Sequence, residues 1–413
     1  MLYFKHSQLA EDYKVSLKTI HNWIDAAKQG KLELQLHEEN SRTYIANTPA
    51  NNMTLDRLAL KGKKYRNSLH QKIVSPRPVF YETYNTRQVL DIISDLNIHR
   101  EIPQQYSYFD GGAHNWVDWV EKMKKEKASN ALNGTVELLQ TNLGAFDQLL
   151  RGREKVNIID LGVGDAQPVK DLLAHLLERG ILNRYIAIDT SQSMLDVAKD
   201  NIVSWFGDKV KYEGHVRDVR YERFDDLLLP DALGEDYDRI INVVLFLGGT
   251  RSNFRAPNDC LKVIQGSMGE QDLFIYTGKP DTEVSRRYFN FNPQEEPLAM
   301  LPPLDRFVLE MLGIDQSLYQ TEMGFSEQHK MRYIRVRLKY PITIHFSSKE
   351  IKREVVLEKN ETILVWRAWH WTTHEMISDF ESAGLTLVQA SLTRDRQYLL
   401  TICGVVTDST GEI

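Results

Sequence analysis

The feature that most constrains this chain is an alternation of strand-like runs with helical segments across residues 156–276. The runs are rich in apolar and β-branched residues, and helical patterns at 168–179 and 193–206 follow the first two. Strands that alternate with helices form a parallel sheet with helices on both faces. The predicted strands are 156–161, 185–189, 210–216, 239–246 and 273–276. The sequence therefore predicts an α/β fold with a Rossmann-like sheet.

Further patterns on either side of this region point to a second unit. A helix at 373–383 and strands at 385–388 and 398–402 extend the sheet domain at its C-terminal end. A separate β-rich stretch between 331 and 367 precedes them and is predicted to be an insertion. Residues 86–150 show apolar faces at helical spacing throughout. A length of 413 residues agrees with more than one domain.

The strongest chemical signal lies at the ends of the first three predicted strands. Gly162 and Gly164 form a turn after the first strand, where glycine lets the backbone pass close to a ligand. Asp189 ends the second strand, where an acid accepts both ribose hydroxyls, and Asp218 follows the third, where an acid accepts from an adenine amino group. The third glycine of a dinucleotide fingerprint is missing, which favours S-adenosylmethionine over NAD. The alternative is a tight turn beside a surface aspartate.

Residues 1–48 are predicted to form a small separate module. Ser16 is a good N-cap for a helix over 17–29, and Ile20, Trp23 and Ile24 lie on one face of that helix. Alternating apolar and polar residues then predict a β-hairpin. Two helices, a tight turn and a hairpin resemble the winged helix-turn-helix of the excisionase or MerR type.

The segment 49–80 is predicted to be a basic linker, because it holds seven basic residues and one acid. The module before it is neutral, with six basic and six acidic residues over 1–49, so phosphate attraction would come mainly from the linker. A net charge of −6 excludes a uniformly basic nucleic-acid binder. The alternative is a module for protein contact or dimerisation. The predicted DNA contacts are Lys18, Thr19, Asn22, Lys61, Lys63, Lys64 and Arg66.

Several short motifs give the main part of the chain a family resemblance. Gly248, Thr250 and Asn253 follow the fourth strand at the matching positions of a Phe-Leu-Gly-Ser-Thr-Ile-Gly-Asn run. A Tyr-Phe-Asp run ends at Asp110. With the glycine turn and Asp189, these motifs make residues 80–406 resemble the ergothioneine-pathway histidine Nα-methyltransferases.

The resemblance implies a fold and a division into domains. It implies a class I methyltransferase domain, assigned to 151–290 and 367–406. It also implies a second domain that closes over an amino-acid substrate. That substrate domain combines the N-terminal helices at 81–150 with the inserted β-rich part at 291–366.

The resemblance also implies residue roles. The methyl donor, S-adenosylmethionine, or its product S-adenosylhomocysteine, would be held by Gly162, Gly164, Asp189, Asp218 and Gly248. Asn253 and Tyr288 would grip the amino-acid head of the substrate. Asp110 is a candidate general base, and His370 is a second one. The catalytic candidates are thus Asn253, Tyr288 and Asp110.

Departures from the family pattern bear on the substrate. Phe109 stands where the family has a tyrosine, and Trp366 and Ala368 stand where the family reads imidazole with a glutamate and a serine. A site that loses its hydrogen-bonding partners loses selectivity by about 10⁴-fold. We therefore expect a substrate other than histidine, bound near Phe109, Trp366 and Ala368. Core packing of the nearby tryptophans is the alternative.

The functional expectation is a donor-dependent N-methyltransferase acting on a small amino-acid-like or aromatic amine. The rival is a DNA-binding transcription regulator whose methyltransferase-like domain senses a ligand without turnover. No apolar run of about 20 residues is present, so we expect no membrane span. Two cysteines predict neither a disulfide framework nor a metal site and agree with the cytoplasm. A homodimer stays open.

Overall fold

The computed structural model describes residues 3–62, 71–126, 130–229, 239–283, 285–286 and 300–406. The strands are β1 (Tyr3–Phe4), β2 (Leu36–Glu39), β3 (Arg42–Ala46), β4 (Lys72–Val74), β5 (Lys155–Leu161), β6 (Leu182–Asp189), β7 (Tyr212–Val216), β8 (Ile240–Phe246), β9 (Leu273–Gly278), β10 (Tyr319–Ser326), β11 (Met331–Leu338), β12 (Ile342–Ser347), β13 (Lys352–Leu357), β14 (Thr362–Trp369), β15 (Leu385–Leu392) and β16 (Leu399–Val405).

The described helices are α1 (His6–Asp12), α2 (Leu17–Lys28), α3 (Pro49–Ala59), α4 (Pro78–Thr83), α5 (Thr86–Ser94), α6 (Gly111–Lys125), α7 (Ala131–Thr141), α8 (Leu143–Leu149), α9 (Lys170–Glu178), α10 (Gln192–Phe206), α11 (Thr250–Asn253), α12 (Asp259–Ser267), α13 (Pro303–Met311) and α14 (Thr373–Ser382). A π-helical turn, Asp95–His99, continues α5, and a 3₁₀ turn, Gln104–Tyr108, precedes α6. No helix in the described ranges is long and apolar enough to cross a membrane.

The central sheet has seven strands in the order β15-β16-β9-β8-β5-β6-β7. The five strands from β9 to β7 pair in parallel, and β16 pairs antiparallel with β9. Helices cover both faces, because successive strand residues point to opposite sides. Ile158 joins one apolar cluster and Ile159 the other, with Leu173 of α9 on the first face and Ile264 of α12 on the second. The predicted α/β fold with a Rossmann-like sheet is confirmed.

A second domain is built from two three-stranded sheets, β10-β11-β14 and β13-β12-β4. Its core contains Phe80 of α4, Ile92 of α5, Leu309 of α13 and Phe346 of β12. Strands β10 and β13 were not predicted. The predicted domain boundary between 366 and 367 is wrong, because β14 continues to Trp369, which pairs with Met331 of β11. The central domain resumes after β14, at α14.

The helical segment 81–150 also divides differently from the prediction. Its first part packs into the second domain, but α7 and α8 pack on the central sheet through Leu138, Leu139 and Phe146. The segment is not helical throughout, since Glu101 forms an isolated bridge with Leu364 of β14. Assigning all of 81–150 to the substrate domain was therefore wrong.

The N-terminal module contains α1, α2 and a sheet in which β3 pairs with β2 and with β1. Leu9, Ile20 and Ile45 form its core. The predicted linker at 49–80 is wrong over its first part, because Thr48 caps α3 and Leu55 of α3 joins this same core. The last part of that segment is not linker either, since β4 pairs in parallel with β12.

The module contacts the second domain through acidic residues of α1 and α3. Asp56 accepts from Lys359 at 2.9 Å and from Asn360 at 2.8 Å. The Lys359 ammonium also lies 4.8 Å from the ring centroid of Tyr13. Lys18 and Asn22 of α2 stay exposed, so the module meets the second domain without covering that face of α2.

Candidate functional site

The glycine turn after β5 shapes one wall of a cavity at the carboxyl edge of the central sheet. Gly162 and Gly164 have φ values of 67° and 55°, a region that favours glycine. A Cβ on Gly162 would meet Thr250 Cγ2 at 3.1 Å, and one on Gly164 would meet Trp116 Nε1 at 3.4 Å. Both glycines line the cavity. Glycine is therefore favoured at both positions by the backbone conformation, and at Gly162 also by the close approach of Thr250.

Asp189 ends β6 beside this turn and also lines the cavity. Its carboxylate accepts a hydrogen bond from the backbone N–H of Ser191 at 3.0 Å. Burial raises the pKa of Asp189 to about 6, against backbone hydrogen bonds from Gly164 and Thr190 that lower it. A carboxylate removed from water in this way is an acceptor for the hydroxyls of a bound ribose.

Asp218, after β7, lines the same cavity but is engaged by a neighbour. Its carboxylate accepts from Arg220 Nε at 2.9 Å and from Arg220 Nη2 at 2.6 Å. The guanidinium of Arg220 lies 5.7 Å from the ring centroid of Phe254, another lining residue. An adenine amino group would share this carboxylate with Arg220, which the sequence analysis did not anticipate.

The loop after β8 also contributes to the cavity wall, beside the glycine turn. Thr250 and Asn253 lie at the two ends of the short helix α11, and both line the cavity. Gly248 does not line it; its N–H donates to the hydroxyl of Thr277 in β9 at 2.9 Å. That hydroxyl lies 3.1 Å from the hydroxyl of Thr135 in α7. This contact fixes the loop, and the cofactor contact of Gly248 stays a prediction.

The cavity has a volume of about 470 Å³, within the range of small-molecule sites. It brings together residues that the sequence analysis assigned separately to a donor and to a substrate. Those shared residues are Gly162, Gly164, Asp189, Asp218 and Asn253.

Two buried polar atoms in the cavity wall have no hydrogen-bond partner in the part of the chain that the structure describes. They are the indole Nε1 of Trp116 and the Oε1 of Gln104. A buried polar group without a partner costs free energy, so such atoms indicate a missing ligand. With the glycine turn and Asp189, a donor and an acceptor of this kind fit S-adenosylmethionine, which presents both a carboxylate and amino groups.

An ionic network joins the loop after β8, which carries Arg255, to the second domain. Arg255 donates to Asp95 at 2.6 Å and to Glu101 at 2.9 Å, and all three residues line the cavity. Glu101 also forms an ion pair with Arg367 of β14. This side of the cavity therefore carries paired charges from both domains.

Several predicted site residues lie away from the cavity. Phe109 packs against the apolar core of the second domain, with 5.5 Å between its ring centroid and that of Tyr84. Asp110 is exposed and begins α6, with its carboxylate 3.5 Å from the hydroxyl of Ser193. Neither Phe109 nor Asp110 lines the cavity. Tyr288 lies outside the described residues.

The late-strand residues also miss the cavity, because side chains alternate along β14. Arg367 reaches the wall through Glu101. Trp366 instead lies under Arg332, 5.2 Å from its guanidinium to the ring centroid, and Ala368 is buried opposite Arg332 of β11. Neither Trp366 nor Ala368 is among the residues that line this cavity, and their contact with the substrate stays a prediction.

His370 is a poor general base in this structure. Its Nε2 accepts a hydrogen bond from Nε of Arg332 at 2.8 Å. Burial and the charge of Arg332 lower the pKa of His370 to about 3. The ring is therefore neutral near pH 7, and its acceptor nitrogen is occupied.

The structure describes only some of the predicted DNA-contacting residues. Lys18 and Asn22 of α2 are exposed, and so is Lys61 after α3. Thr19 is half-buried, and its hydroxyl lies 3.0 Å from that of Ser16, within the N-cap of α2. The remaining predicted contacts, Lys63, Lys64 and Arg66, lie outside the described residues.

Sequence analysis missed two aromatic residues of the cavity wall. Tyr108 and Trp116 line the cavity, with ring centroids 5.4 Å apart. Tyr108 belongs to the Tyr-Phe-Asp run, which could have identified it, whereas Trp116 occupies an ordinary position on an amphipathic helix. No group of three or more His, Cys, Asp or Glu suited to a metal ion occurs among the residues described.

Comparisons with known proteins agree with this site. Residues 88–405 match the protein family described as histidine-specific methyltransferase, SAM-dependent. No curated protein sequence matches the chain. A methyltransferase structure from Clostridium acetobutylicum is 11% identical, covers 78% of this chain and 100% of its own, and has a TM-score of 0.34.

Two further solved structures are similarly distant. Magnesium protoporphyrin IX methyltransferase from Synechocystis is 9% identical over 73% of this chain and 98% of its own, with a TM-score of 0.37. A 1,6-didemethyltoxoflavin-N1-methyltransferase from Burkholderia thailandensis is 13% identical over 74% of this chain and 91% of its own, with a TM-score of 0.35. The fold assignment therefore rests on the sheet topology and the family match.

The family match spans most of the chain and includes the glycine turn, Asp189 and the loop that carries Asn253. The chain therefore belongs to the family of S-adenosylmethionine-dependent methyltransferases that is described as histidine-specific.

Proposed function

We propose that this protein methylates an amine of a small amino-acid-like or aromatic compound other than histidine. The observation that carries the proposal is that Gly162, Asp189 and Asn253 line one and the same cavity. When bound, S-adenosylmethionine supplies an electrophilic methyl group. Methyl transfer then depends mainly on holding the amine in line with that group in a closed site.

The described residues have separate proposed roles: some bind the methyl donor and others bind the methyl acceptor. Asp189 holds the ribose of S-adenosylmethionine. The indole N–H of Trp116 donates a hydrogen bond to the same molecule beside the glycine turn. The side-chain amide of Asn253 orients the amino-acid head or the amine of the acceptor, with Tyr288 as the proposed second contact. The network around Arg255 holds the second domain against the central domain on this side.

A substrate other than histidine follows from the chemistry available where the family reads imidazole. Trp366 and Ala368 offer neither a carboxylate nor a hydroxyl there. Arg332 lies against both residues and brings a positive charge instead. An imidazole that must donate a hydrogen bond finds no acceptor on these two side chains.

The proposal is tested in two steps. Calorimetry with S-adenosylhomocysteine should show binding to the intact chain, and Asp189→Asn should weaken it. A panel of amines and amino acids is then incubated with isotope-labelled donor, and products are identified by mass spectrometry. Label transfer to an amine other than histidine is expected, and absence of S-adenosylhomocysteine binding would refute the proposal.

A second candidate function is a DNA-binding regulator that senses a ligand without turnover. It is favoured by the exposed face of α2, which carries Lys18 and Asn22 while α1 and α3 contact the second domain. This winged helix-turn-helix reading predicts DNA affinity through the basic residues beyond α3. About six phosphate contacts would give a slope near −5 for log K against log salt.

A gel-shift series across salt concentrations tests this candidate, with Lys18→Ala and Asn22→Ala altering sequence preference. If no shift occurs at low salt, and light scattering shows a dimer that is lost on deleting residues 1–48, the module serves assembly and the regulator candidate fails. Label transfer in the first assay would rule out sensing without turnover.

A further inference from the structure

We propose that the ring of Tyr108 binds the positively charged sulfur of S-adenosylmethionine, so that the protein binds this donor more tightly than its neutral product, S-adenosylhomocysteine. The inference goes beyond the proposed function, because it concerns how the site distinguishes donor from product. It rests on that function only in requiring that the donor binds, and it makes no assumption about the acceptor.

Tyr108 neighbours both of the residues that we assign to the two halves of the donor, and all three line the cavity. Its ring is perpendicular to that of Trp116, with 5.4 Å between the centroids. Its carbonyl oxygen accepts a hydrogen bond at 2.8 Å from the hydroxyl of Ser191, two residues after Asp189. In S-adenosylmethionine the sulfur is bonded both to the ribose-bearing group and to the amino-acid chain. A ring beside the proposed partners of both halves is therefore placed to meet the sulfur.

Three other rings of the cavity wall contact other groups. Tyr106 is buried in the core of the second domain. Cζ of Arg220 lies 5.0 Å from the ring centroid of Tyr221 and 5.7 Å from that of Phe254, so both of these rings already have a cation beside them. Among the residues that the structure describes, no lysine or arginine lies over the ring of Tyr108. Its ring is therefore available to a cation that a ligand brings.

The electrostatic surroundings of Tyr108 favour a cation. Burial and the charges of Asp305 and Asp189 raise the pKa of its hydroxyl, so negative charge already acts at this residue. The face of an aromatic ring is itself negative, and it attracts a cation most strongly where water is excluded. These surroundings therefore stabilise a sulfonium and have little effect on a neutral thioether.

Methyl transfer removes this charge from the donor. The electron pair of the broken carbon–sulfur bond stays on sulfur when the methyl group moves to the nitrogen of the acceptor. The product therefore lacks the attraction to the ring of Tyr108 that the donor had. The ring that helps to bind S-adenosylmethionine thus also favours the exchange of S-adenosylhomocysteine for a new donor molecule.

The inference is tested by calorimetry on the full chain with S-adenosylmethionine, S-adenosylhomocysteine and sinefungin as probes. Sinefungin carries an ammonium group in place of the methylated sulfur, so it separates the effect of charge from that of the methyl group. No acceptor is present, so any preference reports on the donor and not on a methylated product amine. The unchanged protein should bind each cationic probe about 2- to 30-fold more tightly than S-adenosylhomocysteine, the range for one cation–π contact.

Two substitutions of Tyr108 separate the ring from the hydroxyl. Tyr108→Leu should bring the ratio of the affinities close to one, because it removes the ring, whereas Tyr108→Phe should keep most of the preference. Tyr221→Leu is the matched control, because it makes the same change in the same cavity wall at a ring beside Arg220. Its preference should equal that of the unchanged protein, and thermal unfolding of each variant shows that it is folded.

Two results would overturn the inference. One is equal binding of the three probes by the unchanged protein, and the other is a preference for the cationic probes that survives in Tyr108→Leu. Both results leave S-adenosylhomocysteine binding intact and the proposed function standing. Absence of binding by all three probes would instead refute the proposed function and this inference with it, so the two failures are distinguishable.

Discussion

The guanidinium of Arg251 lies 4.3 Å from the ring centroid of Trp371. Arg251 is fully buried in α11, and it forms an ion pair with Asp379 of α14. Nη2 of Arg251 also donates a hydrogen bond to Oδ1 of Asn258 at 2.6 Å. One buried cation therefore ties the helix that ends at Asn253 to the helix that follows β14.

Arg251→Met should lower the free energy of unfolding by about 3–5 kcal/mol, because it breaks a buried pair and leaves Asp379 without its cation. Denaturant unfolding measures this change. Arg223→Met is the matched control: its pair with Asp225 is exposed, and we expect a change of about 0–1 kcal/mol. Equal effects of the two substitutions would contradict the assignment of Arg251.

Asp189→Asn should weaken S-adenosylhomocysteine binding by about 1.5–3 kcal/mol, the value of hydrogen bonds to a charged group. This corresponds to a dissociation constant roughly 10 to 150 times larger. Calorimetry gives the constant directly. Asp208→Asn, an exposed carboxylate after α10, should leave it unchanged.

Donor affinity should fall as the pH drops below 6, because burial raises the pKa of Asp189 to about 6 and ribose hydroxyls donate to the ionised form. Binding at pH 5 should be about tenfold weaker than at pH 7. The same raised pKa changes the stability of the fold in the opposite direction. Its contribution to the free energy of unfolding is present below the ordinary aspartate pKa near 4 and is lost as the pH rises through about 6.

The Asp189→Asn variant isolates this effect. Asp160, held by the hydroxyl of Tyr185 at 2.7 Å, has a pKa raised by burial to about 7, so it titrates in the same direction nearby. Calorimetry across pH should show a flatter profile in the variant. An unchanged profile would assign the pH dependence to a group other than Asp189.

Trp116→Phe should weaken S-adenosylhomocysteine binding about 2- to 12-fold, since it removes one N–H donor worth about 0.5–1.5 kcal/mol and keeps the aromatic surface. Trp119 is the control: its ring lies tilted against that of Trp116, at 4.8 Å between centroids, and it does not line the cavity. Trp119→Phe should therefore bind normally. Full affinity in Trp116→Phe would mean that the indole N–H does not contact the donor.

Free histidine should be neither bound tightly nor methylated, because Trp366 and Ala368 provide no acceptor for imidazole. Mass spectrometry with labelled donor and free histidine tests this directly. Restoring the family chemistry with Trp366→Glu and Ala368→Ser together should increase histidine binding. Efficient histidine methylation by the unchanged protein would show that these two positions do not read the acceptor.

The central sheet and the meeting of Asp189 with Asn253 could be predicted, because apolar runs mark buried parallel strands and their carboxyl ends converge on one edge. Helix α3 could not be predicted from charge counts. Its Asn51 is buried, and its side-chain amide bonds the backbone of Gln35 at 2.8 Å and of Ala46 at 2.7 Å. In the sequence alone, a polar residue that bonds to the backbone of another segment cannot be told apart from a polar residue of a linker.

The surroundings of β14 show a second limit. Aligning a strand to a motif does not tell which neighbouring structure each face meets. Here Trp366 faces Arg332, whereas Arg367 reaches the cavity through Glu101. That partner comes from a segment more than 250 residues earlier, so no local pattern could reveal it.

The hydroxyl of Thr277 has a consequence for how the loop after β8 responds to ligands. Through it, the backbone of Gly248 is joined to Thr135, and three segments distant in sequence share one chain of hydrogen bonds. The loop is thus preorganised from beneath, by contacts that no ligand makes or breaks. Association then loses little free energy to ordering this loop, and differences in affinity between acceptors should reflect their own contacts.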